Sequence, residues 1–336
     1  MMTVEHYPAA VGLCICTMLC WGSWANTQKL ASQEWRFQLF YWDYSIGIVL
    51  AALLFAFTLG STGSAGRSFL VDLAQADLHW LGSAFLGGVI FNLSNILLVA
   101  AIDVAGIAVA FPVGVGLALV LGIITTYWAT RAGNVPMLTA GVAAVLMAII
   151  LDALAYRRLA KSATQRPAGG ILLSVVAGAL MGWFYSFVAQ SIGAFDAVTG
   201  ALTPGKLSPY TALVAFSLGL FVSNFLWNGL VMAKPFSGEP VTYREYFHKG
   251  NVRLHFIGVL GGLIWNLGMG FNLIASHAAG PALSYGLGQG ATLVGAIWGV
   301  FIWKEFKNVP AGTNRLLVAM FLFYILGLSI PVASKA

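Results

Sequence analysis

Ten long apolar runs divide this chain, and each is long enough to cross a lipid bilayer as a helix. A hydrocarbon core about 30 Å thick requires about 20 apolar residues in helical form. Only 8% of the 336 residues are charged, against about 25% in an ordinary soluble domain. The sequence therefore predicts an all-α, polytopic membrane protein embedded in the lipid bilayer. The predicted spans cover residues 9–30, 37–60, 79–102, 105–129, 136–156, 169–192, 208–232, 252–275, 280–303 and 313–333.

Positive charges are unevenly distributed between alternate loops. Thirteen of the 17 Lys and Arg residues lie in or beside the loops that follow odd-numbered spans. Because cytoplasmic loops are enriched in Lys and Arg, we expect these loops in the cytoplasm and both termini outside a cell membrane. The charges form no continuous basic stripe, which argues against nucleic acid as a partner. The chain is expected to act as a monomer or a homodimer.

An internal repeat indicates how the spans are organised. A shift of 174 residues aligns Gly87–Leu93 (GGVIFNL) with Gly261–Leu267 (GGLIWNL), and the same register aligns residues 134–136 with 308–310. The repeat predicts two five-span halves, residues 1–160 and 161–336. An odd number of spans makes the second half enter the membrane from the opposite side. Inverted repeats of this kind are typical of secondary transporters, which expose a central site alternately to either side.

One acidic side chain lies well inside a predicted span. Asp43 is about two helical turns into span 2, next to Trp42 and Tyr44. An ionisable group within the bilayer is costly, and it is therefore a functional candidate. We predict that Asp43 couples transport to an ion, a proton in the first instance. The alternative is an interfacial anchor, bonded to Arg36 or to a backbone amide.

Two asparagines occupy equivalent positions in the halves. Asn92 and Asn266 lie in spans 3 and 8, and hydrocarbon leaves their amide groups without partners. Equivalent positions of inverted halves approach the pseudo-twofold axis, where a transporter has its central site. We predict that both contact the substrate. The alternative is hydrogen bonding between helices, which is common in membranes.

The second half also has polar side chains where the first half is apolar. Tyr285 and Gln289 lie one turn apart on span 9 and face the same side. We predict that both contact the substrate. Trp21, Trp24 and Trp265 are predicted to stack on a sugar or a planar ring, although tryptophan is also an ordinary anchor at membrane interfaces.

The chain has no pattern typical of a metal, a cofactor or a membrane enzyme. Cys14, Cys16 and Cys20 share the first span without a metal-binding or redox spacing, and the five histidines are scattered. A membrane enzyme would show a cluster of catalytic groups. We therefore predict no cofactor, no metal site and no enzymatic activity.

Several segments resemble a known family. The ten-span pattern, with WGVFIWKEF at Trp298–Phe306, resembles the drug/metabolite transporter superfamily. Within it, YWDYSIG at Tyr41–Gly47, GGLIWNLGMGFNLIASHAAG at Gly261–Gly280 and the helix around Gln289 are most similar to the plant ureide permeases and the related bacterial sugar-uptake transporters. The resemblance covers nearly the whole chain. Unlike the plant proteins, this chain has only a short segment between its halves.

The resemblance implies proton-coupled uptake of a small polar metabolite by alternating access. The substrate would be a ureide or nucleobase-like heterocycle on one branch and a sugar such as a hexose on the other. A drug/metabolite exporter for amphipathic compounds is the alternative function, because sequence does not determine the direction of transport. An exporter would be expected to have a large apolar cavity, whereas Gln289 and Tyr285 favour a polar solute.

Overall fold

The computed structural model is all-helical over the residues it describes, which are all except 33, 106, 132–133, 160–166, 197–200, 237, 308 and 334–336. Side chains at 103, 105, 107–109, 111–112, 159, 167–168 and 331 are likewise left undescribed. Ten stretches within the described chain are long and apolar enough to cross a membrane, which confirms the predicted spans. Span 1 consists of the helices Tyr7–Ser23 and Ala25–Ala31. Spans 2 to 8 are, in chain order, the helices Phe37–Phe57, Leu78–Ala105, Ile107–Thr130, Val135–Leu159, Pro167–Ser191, Pro209–Ala233 and Val252–Ala279. Span 9 consists of the helices Pro281–Gly288 and Ala291–Ile297 and the π-helix Trp298–Ile302, and span 10 is the helix Thr313–Ala333.

Local sequence determines where several spans begin. Ser208 caps span 7 by accepting a hydrogen bond from the Thr211 amide at 3.2 Å, and Pro209 occupies the first turn, where its missing N–H is not needed. Asn251 caps span 8 in the same way, through the Leu254 amide at 2.9 Å. Two short helices, Phe69–Gln75 and Tyr243–Lys249, lie outside the spans.

Spans 1 and 9 are interrupted, which the apolar pattern does not predict. Span 1 changes helix at Trp24. Span 9 breaks at Gln289 and Gly290 and then widens into the π-helix Trp298–Ile302. Because such breaks release backbone groups from the regular helical hydrogen bonds, in membrane proteins they occur where they are buried in protein or line a cavity.

Close helix crossings recur at matched positions of the two halves. A Cβ atom at Gly88 would clash with the Phe216 carbonyl, and a Cβ atom at Gly262 would clash with the Tyr44 carbonyl. Span 3 therefore packs backbone to backbone on span 7, as span 8 does on span 2. Such close approach through glycine is characteristic of helix pairs in membranes.

The matched asparagines make matched hydrogen bonds at these crossings. Asn92 donates to the Leu220 carbonyl at 3.1 Å, and Asn266 donates to the Ile48 carbonyl at 2.7 Å. These contacts support the predicted repeat, because equivalent residues perform equivalent packing in both halves. The inverted arrangement of the halves stays a prediction, and the predicted boundary between residues 160 and 161 lies outside the described residues.

The two faces of the molecule have different connections. We call the face that carries the N-terminus and the loops after even-numbered spans the N-terminal face, and the other the opposite face. On the N-terminal face, Arg67 donates to the fully buried Asp72 at 2.8 Å and to the Leu202 carbonyl at 2.7 Å. Asp72 also accepts the Ser208 amide at 2.7 Å. This network joins the loop after span 2 to the loop after span 6.

Because the two crossings are equivalent, substitutions at their glycines should lower the stability of the protein by similar amounts. Gly88→Ala and Gly262→Ala should each destabilise the protein by about 1–3 kcal/mol, because overpacking forces the helices apart. Thermal unfolding of the purified protein in detergent measures this effect. Gly82→Ala in span 3 is the control, since a Cβ atom there meets nothing within 4 Å. Equal stability of Gly88→Ala and Gly82→Ala would contradict the close crossing.

Candidate functional site

A cavity of about 320 Å³ lies between spans 1, 3, 4, 5, 6, 8 and 9. It extends from the middle of the spans to the opposite face, where Lys29 and Glu305 lie at its mouth. All three irregular segments border it, because Trp24, Gln289 and Trp298 are among its lining residues. The breaks in spans 1 and 9 therefore occur where a membrane protein tolerates them.

The inner end of the cavity is an aromatic cluster. Trp265 stacks on Trp21 with ring centroids 5.7 Å apart and planes inclined by 13°, and Trp21 Nε1 donates to the Trp265 carbonyl at 3.1 Å. Phe91 lies 4.5 Å from Trp265 and 5.0 Å from Phe184, again between ring centroids. Gly288 leaves room for Trp21, because a Cβ atom there would lie 2.7 Å from its ring. These rings form an aromatic wall of the cavity, in which Trp21 is partly exposed and Trp265 is only 5% exposed, and an aromatic wall suits a planar ligand.

Two amides supply polar groups beside these rings. The Gln289 side chain, at the break in span 9, makes no hydrogen bond within the described part of the chain. Asn95 donates to Tyr41 at 3.1 Å, and its carbonyl oxygen has no donor among the described residues. Together they offer donors and acceptors to a polar ligand.

The mouth of the cavity carries paired charges. Lys29 Nζ lies 2.6 Å from Glu305 Oε1 and 4.3 Å from the centre of the Trp303 ring. The other Glu305 oxygen accepts the Tyr156 hydroxyl at 2.8 Å. Deeper inside, Asp152 also lines the cavity. A solute that enters from the opposite face must pass these groups.

On the side of the N-terminal face, direct contacts between spans border the aromatic cluster. Tyr285 is fully buried and donates to the Met181 carbonyl at 3.1 Å, and its ring lies 4.8 Å from that of Tyr185. Tyr185 donates to Asn272 at 2.5 Å, and Thr17 donates to the Gly268 carbonyl at 3.0 Å. Passage toward the N-terminal face would require these contacts to separate.

The structure brings together four of the seven predicted substrate-binding residues. Trp21, Trp24, Trp265 and Gln289 line the cavity. Tyr285 lies just beyond it, in the contacts described above.

Asn92 and Asn266 do not line the cavity. Both are fully buried where spans 3 and 8 cross spans 7 and 2, and each also reaches a serine, Ser223 at 2.9 Å and Ser217 at 3.2 Å. Substrate contact by these asparagines stays a prediction, and the contacts observed are those of helix packing.

Asp43 also lies away from the cavity, in a buried cluster near the opposite face. Its carboxylate accepts the Tyr246 hydroxyl at 2.5 Å and lies 2.9 Å from His255 Nδ1. Trp35 packs edge-on against the His255 ring, with centroids 5.4 Å apart. Burial and the Asp43 carboxylate raise the pKa of Tyr246, so its hydroxyl keeps its proton and donates. The cluster holds the short helix Tyr243–Lys249 against spans 2 and 8.

Sequence reasoning missed several lining residues. Phe91 and Phe184 were not distinguished from ordinary apolar residues of a span, and nothing in the pattern separates them. Asp152 can be identified as a candidate from the sequence, because it is a lone acid in the apolar run VLMAIILDALAY of span 5. The criterion that selected Asp43 therefore applies equally to Asp152.

Comparisons with known proteins agree with this architecture. The family model described as "Ureide permease" matches residues 40–169 and 151–334. "Ureide permease 1" of Arabidopsis thaliana is 23% identical over 389 residues, with 100% of this chain and 99% of the relative covered. "Ureide permease 2" of the same plant is 24% identical over 397 residues, at the same coverage.

A shorter match and a solved structure complete the comparison. "Probable ureide permease A3" of Vigna unguiculata is 29% identical over 153 residues, which cover 44% of this chain and 41% of the relative. A solved structure titled "Crystal structure of protein" shares the fold, with a TM-score of 0.58 and 13% identity over 98% of this chain and 100% of the other. Since the family model covers most of its length, the chain is a transporter-type membrane protein that belongs to the ureide permease family.

Proposed function

We propose that this protein imports a ureide, or a related planar and polar heterocycle, across a cell membrane by alternating access. The observation that carries the proposal is the unpaired Gln289 amide beside the stacked Trp21 and Trp265 rings. Ureide permeases are the relatives that match over the whole chain. A flat ring with amide groups would use both features, since its face stacks on the indoles and its edge bonds to the amide.

Other substrates use this site less fully. A sugar would stack on tryptophan too, so hexoses serve as the comparison in the experiments below. The exporter of amphipathic compounds is not favoured, because the family and the matched relatives are ureide permeases. The polar groups of Gln289 and Asn95 would also lack partners against an apolar solute.

The predicted orientation gives the cavity a direction. With the loops after odd-numbered spans in the cytoplasm, the mouth at Lys29 and Glu305 faces the cytoplasm and the structure is inward-facing. Opening to the outside would then separate the contacts of Tyr285 and Tyr185 and close the mouth. We propose that a proton gradient drives this cycle, and the two buried acids within the described parts of the spans, Asp43 and Asp152, are the candidates for binding the proton.

Ligand binding tests the proposal directly. A ligand that binds only the folded state raises its stability by about 2.7 kcal/mol at about 100 times its Kd. Thermal unfolding of the purified protein should therefore shift upward by several degrees with allantoin or uracil and not with glucose or rhamnose. A shift with a sugar alone would assign the protein to sugar uptake. The absence of any shift across the panel would contradict the proposed substrate class.

Paired substitutions test which amide contacts the ligand. Gln289→Ala should weaken allantoin binding by roughly threefold to tenfold, through the loss of one or two hydrogen bonds, and should leave thermal stability nearly unchanged. Asn266→Ala should lower stability and leave affinity unchanged, because its contacts are with Ile48 and Ser217. Calorimetric titration measures both. The reverse pattern would return Asn266 to the binding site.

Labelling of a cysteine tests the orientation of the cavity. Ala25 is exposed at the cavity wall, so Ala25→Cys in a variant lacking the three native cysteines should react with a membrane-impermeant maleimide in inside-out vesicles. Allantoin should slow the reaction. Ala282→Cys, at a fully buried position of span 9, is the unreactive control. Faster labelling of Ala25→Cys in right-side-out cells would contradict the orientation.

A further inference from the structure

Asp152 is a buried acid of the cavity that the contacts described so far leave unused. It lies in span 5, is only 9% exposed and lines the cavity. Its Oδ1 atom is buried and has no hydrogen-bond partner among the described residues. A buried carboxylate that lacks a donor or a cation is strongly disfavoured in its charged form, whereas the neutral acid is not.

The neighbours of Asp152 do not neutralise it. Glu305 is an acidic neighbour that interacts with Asp152 electrostatically, and its carboxylate is already paired with Lys29 and bonded to Tyr156. Span 10 contributes Tyr324, which interacts with Asp152 electrostatically, and span 4 contains no charged residue. A second negative charge beside Glu305 is repelled. The surroundings therefore favour a bound proton on Asp152 while the Lys29–Glu305 pair keeps its charges.

Asp43 differs from Asp152 both in its hydrogen-bond partners and in its position relative to the cavity. Its carboxylate is engaged by Tyr246 and His255, and it does not face the cavity. A proton on Asp43 would remove the charge that holds these partners, and it would have no direct effect on a ligand beside Gln289. Asp152, in contrast, shares one cavity with the ligand groups.

We propose that Asp152, and not Asp43, is the proton-binding residue of the cavity. The coupling role rests on the proposed function: a proton from outside binds the carboxylate lone pair, is carried inward with the solute, and is released to cytoplasmic water from the mouth. Glu305, Lys29 and Tyr156 set the electrostatic environment of this site.

Infrared spectroscopy tests proton binding without a substrate. Difference spectra of the protein in lipid, recorded while the pH is raised, should show loss of the C=O stretch of a protonated carboxyl group. Asp152→Asn should lack this band and Asp43→Asn should keep it, whereas Glu305→Gln should keep the band but lose it at a lower pH, because the repulsion by Glu305 is removed. Asp152→Glu should shift its frequency, which provides a test even if Asp152→Asn does not fold. A band that persists unchanged in the folded Asp152 variants would overturn the proposal.

Transport by proteoliposomes tests the coupling role, with radiolabelled allantoin as the probe. An inward pH gradient should drive accumulation by the wild type, whereas an inward sodium gradient alone should not. Asp152→Asn should reach only the equilibrium level and retain counterflow exchange. Asp43→Asn should be slower, because the short helix Tyr243–Lys249 loses its anchor, yet still accumulate allantoin with the gradient.

The two experiments separate the possible failures. If Asp152→Asn still accumulates allantoin against its gradient, Asp152 does not couple transport. If Asp43→Asn alone loses accumulation, the proton site is Asp43. If the wild type does not take up allantoin, the proposed substrate is wrong, and the infrared result still decides whether Asp152 binds the proton.

Discussion

The structure depends on the requirement that every backbone polar group in a membrane find a partner. Span 9 departs from regular helix at Gln289 and Gly290, span 9 widens again at Trp298–Ile302, and span 1 changes helix at Trp24. All three departures border the same cavity. Gln289 lines the cavity from the break in span 9, and Val115, its counterpart in the first half, also lines the cavity but from the continuous helix of span 4. The irregular backbone of spans 1 and 9 and the Gln289 side chain thus border one cavity.

The remaining spans supply a frame for these segments. Spans 3 and 7, and spans 8 and 2, approach so closely that Gly88 and Gly262 leave no space for a side chain. Asn92 and Asn266 fasten the same crossings by hydrogen bonds. Tightly packed helices of this kind resist deformation. Motion that opens the cavity to the other side is therefore expected in the interrupted spans 1 and 9 and in the contacts of Tyr285.

Hydropathy was sufficient to predict the ten spans, because each helix must be long and apolar enough to cross the same thickness of hydrocarbon. It could not predict the breaks, which depend on neighbouring helices. Gln289 was found through its difference from the first half, whereas Asn92 and Asn266 were selected because they match. The matched asparagines make matched packing contacts, whereas Gln289, which differs from its counterpart Val115, lines the cavity. The choice between Asp43 and Asp152 could not be made from sequence, because it depends on which way each helix face turns.

We propose the cavity between the stacked indoles and Gln289 as the ligand-binding site. The most direct measurement is an experimental structure of the protein with allantoin bound. We expect ligand density against the Trp21 and Trp265 rings, with the Gln289 amide within hydrogen-bond distance. Density centred instead at Asn92 and Asn266, or on the N-terminal face beyond Tyr285, would contradict the account.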